Sequence, residues 1–141
     1  MAKGIKTNYK EFNLALDEAA NQIEAKDLVL LTRWVGLEAL RKIVLRTPVD
    51  TGRARGNWQM SQASPIEREL DRTDLSQDGI DTVTKGQQDL GELKPFTPIF
   101  IVNNVPYINE LENGHSSQAP AGTMVALTMA ELESVVKEQL E

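Results

Sequence analysis

The spacing of apolar positions changes four times along this chain. Tyr9, Phe12, Leu16, Ala19, Ala20 and Ile23 fall on one face of a helix. Asn8 stands at the N-cap and Glu11 at the capping-box position, so the spacing predicts a helix from Tyr9 to Ala25. A second helix is predicted from Leu28 to Arg46, capped by Asp27. Leu30, Trp34, Leu37, Leu40, Val44 and Leu45 form its main stripe, and Leu28, Leu31 and Val35 a second stripe in its first half. A helix apolar nearly all round is buried on two sides, against its own sheet or a neighbouring subunit. At Thr47-Pro48 the helical pattern stops, because proline pushes the residue before it out of the helical region. Asp50, Thr51 and Gly52 are turn formers. Beyond them the period becomes two, with Trp58 and Met60 on one face and Asn57, Gln59 and Ser61 on the other, which predicts a strand from Ala54 to Gln62.

Residues 63–79 are polar, with turn signals at Ser64-Pro65 and Asp78-Gly79, and read as an exposed, mobile excursion. Ile80, Val83, Gln87 and Leu90 have the spacing of a short helix, interrupted by Gly86. Pro98 to Asn104 is a continuous apolar run ending in turn residues, the pattern of a central strand. Pro106 opens a short helix over Tyr107–Glu112, and Asn113-Gly114 closes it. A Gly/Ser/Pro loop covers residues 114–122. Val125, Met129, Leu132, Val136 and Leu140 stripe a last helix that starts near Thr123. The fold class that follows is α+β: a small antiparallel or mixed sheet packed by two long N-terminal helices and a C-terminal helix, in one domain over residues 1–141.

Composition narrows the function. A net charge of −6 with no basic patch argues against a surface that grips duplex DNA and leaves room only for transient contact. The chain has no cysteine, which removes disulfides and thiolate metal sites, and its one histidine, His115, cannot build a histidine cluster. Met1 to Lys6 carry no apolar signal core, and no apolar run reaches the roughly 20 residues of a membrane span. Synthesis and folding in a cytoplasm, with no membrane partner, are expected. No cofactor loop or metal-ligand cluster is apparent.

Three candidate chemistries remain. Asp50-Thr51-Gly52 is the triplet of aspartic proteases, whose chemistry needs two carboxylates sharing a proton. Here Pro48 precedes it, Arg53 follows it, and no later segment carries a partner loop, so the triplet reads as a turn in which Asp50 accepts backbone hydrogen bonds and Gly52 takes a conformation others avoid. Arg53 and Arg55, two apart on the expected strand, point to one side. They face a neighbouring subunit's acids or passing phosphates, or simply end a solvated strand. His115 lies near Ser116 and Ser117 but without a nucleophile elbow, and reads as an exposed loop residue.

Two stretches, taken in order, resemble a known family. The first is Thr47-Pro48-Val49-Asp50-Thr51-Gly52-Arg53-Ala54-Arg55 followed by Trp58. The second is Asn103-Asn104-Val105-Pro106-Tyr107, then Leu111-Glu112-Asn113-Gly114-His115-Ser116, then Gln118-Ala119-Pro120-Ala121-Gly122. Together they resemble the small tail-completion or neck proteins of long-tailed, siphovirus-type bacteriophages, over residues 9–140. The chain departs from that pattern at Ala54, where leucine is common, and around Thr123, Met124 and Ala126. The resemblance implies a virion structural protein and not an enzyme. It would form a ring, sixfold to match a tail tube, at the head-proximal end of the tail. Its partners would be copies of itself, tail-tube or terminator proteins and head-completion proteins, with DNA passing through. Pro48, Asp50, Thr51 and Gly52 would form a structural turn. Arg53, Arg55, Trp58, Tyr107, Glu112, Gly114, His115, Gln118 and Pro120 would be interface candidates. A head-side connector or stopper is the nearest alternative, and an Asp50 hydrolase a remote one.

Overall fold

The computed structural model of the protein describes residues 25–114 and 120–140. In chain order these form α1 (Ala25–Arg46), α2 (Arg53–Gly56), β1 (Trp58–Gln62), a 3-10 turn (Gln77–Gly79), α3 (Ile80–Leu90), β2 (Ile99–Asn103), α4 (Ile108–Glu112) and α5 (Val125–Leu140). The class is α+β. The helix expected over Tyr9–Ala25 lies outside the described residues, apart from Ala25, which belongs to α1.

β1 and β2 pair antiparallel, with Trp58 opposite Asn103, Met60 opposite Ile101 and Gln62 opposite Ile99. Two strands alone do not hold together in water, so this ribbon depends on the helices against it. α3 lies against β1, and α1 lies against α3 and α5. The main core gathers Leu40 and Val44 from α1, Trp58 and Met60 from β1, Leu90 from α3, and Met124 beside α5. A smaller cluster of Val35, Ala39, Leu132 and Val136 seals α1 to α5. At the rim of that seam Glu131 takes Lys42 Nζ at 2.6 Å and Arg46 Nη2 at 2.6 Å. Lys42 first, then Arg46, hold its carboxyl below the usual range.

Several expectations change. α1 runs through Lys26 and Asp27, so Asp27 sits in a helical first turn and does not begin the helix. The side of α1 that meets the core passes between the two predicted stripes, through Leu28, Val35, Ala39, Leu40, Ile43 and Val44. Leu30, at 65% exposure, Trp34, at 43%, and Leu45 face outward. Small residues explain the shift: Ala39 lets α5 come close without adding to an apolar stripe. Residues 54–57 are not strand. Arg53–Gly56 make one helical turn, and β1 starts only at Trp58. Pro98–Asn104 is not a central strand either. Among the described residues β2 pairs only with β1, and its apolar run lies half-buried along an open groove.

The helix interrupted by Gly86 is real because of that glycine. A Cβ there would stand 2.4 Å from Leu40 Cδ2, so glycine lets α3 press against α1. Replacing Gly86 with valine should cost about 2 kcal/mol or more through overpacking. A lowered urea midpoint with an unchanged slope would report this, and a midpoint equal to the wild type would refute the close packing.

Candidate functional site

The first motif builds a corner between α1 and β1. Thr47 ends α1 with its hydroxyl donating to the Ile43 carbonyl at 2.6 Å and accepting from Trp58 Nε1 at 2.7 Å. Both residues are buried, Trp58 at 3% exposure. This relay ties the last turn of the helix to the first residue of the strand and satisfies an indole N–H inside the core.

Between them the chain turns at Gly52, whose φ is 84°. Thr51, not Asp50, supplies the side-chain acceptor of the turn, taking the Arg53 N–H at 3.3 Å, and Asp50 is exposed. The Gly52 carbonyl accepts two backbone N–H groups, from Gly56 at 2.9 Å and from Asp74 at 2.9 Å. A Cβ on Gly52 would lie 2.5 Å from the Asp74 carbonyl oxygen. Residues 72–74 therefore rest directly on the turn.

The polar excursion is consequently a pinned strap. It forms no ladder, so side-chain amides take up its backbone groups. Asn57, fully buried, donates to the carbonyls of Arg53 at 2.8 Å and Arg72 at 3.2 Å, and accepts the Leu70 N–H at 2.6 Å. Gln59 donates to the Arg68 carbonyl at 2.7 Å. Asn104 donates to those of Ile66 at 2.9 Å and Arg68 at 3.0 Å. Arg72 reaches back to the Gly56 carbonyl at 2.5 Å. Buried Asp74 closes the strap: it accepts the N–H of Ser76 at 2.8 Å and of Thr82 at 3.0 Å, and both their hydroxyls. Burial alone would push the Asp74 carboxyl up. The four donors from Ser76 and Thr82 outweigh it and hold the group below its ordinary value near 3.8.

The second motif meets the first. Asn103 Nδ2 donates to the Ala54 carbonyl at 2.7 Å, and Asn103 Oδ1 accepts the Val105 N–H at 3.2 Å. Further on, the buried Glu112 carboxylate accepts the N–H groups of Met124, Val125 and Ala126 at 3.0 to 3.2 Å. It caps α5 from outside that helix, where a negative charge also meets the positive end of the helix dipole. The Glu112 carbonyl accepts the Gly122 N–H at 2.7 Å, and Gly114 touches Ala121.

The interface candidates separate by position. Arg53 and Arg55 diverge, because two positions on a helical turn are about 200° apart. Arg53 is exposed and paired with Glu69. Arg55 is half-buried with its stem beside Gly79, and its Nε is buried without a hydrogen-bond partner. Trp58 and Glu112 are committed inside the chain. Tyr107, Gly114 and Pro120 are exposed. His115 and Gln118 lie outside the described residues. The sequence reading missed Asn57, Asp74 and Asn103. Their signal was weak: Asn57 and Asn103 donate to carbonyls remote in sequence, and Asp74 gathers N–H and hydroxyl groups from Ser76 and Thr82 in a stretch with no apolar period. Among the described residues no group of His, Cys, Asp or Glu could hold a metal ion, and no helix is long and apolar enough to cross a membrane. No known protein family, curated protein or solved structure matches the chain.

Three expected outcomes follow from the corner. Asp74→Ala should cost about 3 kcal/mol by stranding buried donors. Because the folded carboxyl ionises below its unfolded value near 3.8, its stabilisation is present above that unfolded value and is lost as pH falls through the folded one. Asp74→Asn should thus flatten the acid side of the stability curve, measured by urea melts from neutral to acid pH. An unchanged acid slope would remove Asp74 from that role. Gly52→Val forces a branched residue to positive φ and into the Asp74 carbonyl, and should cost about 3 kcal/mol or leave the chain insoluble. Thermal melts of the soluble fraction report it.

Proposed function

We propose that the protein is a tail-completion or neck subunit of a long-tailed bacteriophage, a structural part that forms a ring at the head-proximal end of the tail and lets heads and tails join. The observation that carries this reading is the ordered pair of motifs, at residues 47–58 and 103–122. What supports it physically is that the motif side chains serve each other. Thr47 binds Trp58, Asn103 binds the Ala54 carbonyl, and Glu112 caps the helix that follows Gly122. Such residues mark a shared scaffold rather than shared chemistry. In this reading the ring is sixfold, its acidic subunits let DNA slide through without gripping it, and the protein's place is the virion.

The surface left over suits an assembling part. Leu30, Trp34, Leu45, Leu75, Ile80 and Phe96 are large apolar side chains exposed on a small subunit. Deleting the gene should yield filled heads and complete-looking tails that do not join, and adding purified protein to a mixed extract should restore plaque-forming particles. Normal infectivity without the gene would end the proposal. Protein that sediments with isolated filled heads but not with tails would move it to the head-side stopper.

A further inference from the structure

Asn113-Gly114 closes α4, and no other asparagine in the chain precedes a glycine. An asparagine side chain reaches the backbone that follows it, and a glycine there has no Cβ to keep the two apart. Both residues are exposed, so water and hydroxide reach them. The reaction open to such a pair is intramolecular. Hydroxide takes the proton of the Gly114 N–H, and the nitrogen attacks Asn113 Cγ. The carboxamide C–N bond breaks, and its nitrogen picks up a proton from water and departs as ammonia. A five-membered succinimide is left in the chain. Water then opens that ring at one carbonyl or the other. One product is aspartate. The other is isoaspartate, in which the main chain runs through Cβ and Cγ and is one carbon longer.

The fold holds this pair out of the reactive geometry. Ring closure needs Asn113 Cβ and the Gly114 nitrogen on the same side of the Cα–C bond. Asn113 has ψ 7°, which sets the Gly114 nitrogen almost in line with Asn113's own nitrogen and leaves Cβ about a third of a turn away. Backbone bonds keep it there. The Asn113 N–H donates to the Asn109 carbonyl at 3.0 Å, and the Gly114 N–H, the attacking group itself, to the Leu111 carbonyl at 3.3 Å. Just before them Glu112 clasps the far side of the joint. Its carboxylate takes the N–H groups of Met124, Val125 and Ala126, and its carbonyl takes that of Gly122 at 2.7 Å. Gly114 has no room to swing towards the other side, since a Cβ on it would meet the Ala121 nitrogen at 2.9 Å.

We propose that Asn113 is a self-modification site gated by the Glu112 clasp: it deamidates in copies whose joint between α4 and α5 has opened, and isoaspartate then keeps that joint from closing. Opening a helix end and the loop behind it is a local event that occurs without global unfolding. Reclosing does not reverse the chemistry. The added carbon shifts Gly114 off the Leu111 carbonyl and off Ala121, and the new carboxylate stands one residue from the buried carboxylate of Glu112. The joint thus records the time a copy has spent open, whatever the protein assembles with.

The purified full-length chain, incubated at mildly alkaline pH, gives the rate. Mass spectrometry follows the peptide that holds Asn113, where deamidation adds about 1 Da, and isoaspartyl methyltransferase labels the isoaspartate. Asn113 should react at least about tenfold more slowly in the folded chain than in the chain unfolded by guanidinium. Glu112→Gln, which turns an amide N–H towards donors and so weakens the clasp, should recover most of that factor. If Glu112→Gln does not fold, a guanidinium series on the wild type replaces it, and the rate at Asn113 should climb before the global transition. The isoaspartyl fraction, separated by anion exchange, should melt below the unmodified chain, whereas Asn113→Asp, which adds the charge without the carbon, should melt close to it. A folded chain that reacts as fast as the unfolded one overturns the gate. So does a folded Glu112→Gln that reacts no faster than wild type, or a rate that stays flat up to the global transition. An isoaspartyl chain that melts with the wild type overturns the lock, and no gain in mass at Asn113 even in the unfolded chain overturns the proposal outright.

Discussion

Everything in the molecule hangs on a contact of backbone with backbone. The Gly52 carbonyl accepts N–H groups from both its own helical turn and Asp74, at a distance no side chain on residue 52 would allow. That contact fixes the direction in which β1 leaves the corner and the path of the strap at Arg72–Asp74. The strap can then present Asp74 to Ser76 and Thr82, which sets the entry of α3. α3 in turn covers the two-stranded ribbon that would otherwise stand without a layer against it. A chain with few aromatics builds its core from aliphatic residues, and uses close backbone approach where larger side chains would otherwise bridge a gap.

Helices were legible where apolar spacing was clean and a stop was chemical. Arg46 and Glu112 end their helices where Thr47-Pro48 and Asn113-Gly114 end the pattern. The short α3 was legible despite Gly86. What could not be read was set by remote partners. Alternation alone cannot distinguish a strand from one helical turn leading into a strand, and Ala54 and Gly56 fit either. The polar strap carried no apolar period, so nothing local announced that Asn57, Gln59 and Asn104 would hold its carbonyls. The faces of α1 were misjudged because alanine counts for little in a stripe and much in a close helix contact, as at Ala39.

The same logic separates scaffold from surface among the motif residues. Trp58, Asn103 and Glu112 spend their polar atoms within the chain. Tyr107, Pro120 and Arg53 keep a side open to water. A motif that looks like chemistry in one dimension can therefore be a set of braces in three, and most of the exposed large apolar side chains lie outside it, on the outward side of α1 and at Phe96.

Glu112 gives the molecule a further property. Its carboxylate clasps the start of α5 while its carbonyl takes the Gly122 N–H, and Gly114 and Ala121 already touch. The end of α4 and the start of α5 are therefore held as one piece by a single residue, which serves the join with its side chain and its main chain at once.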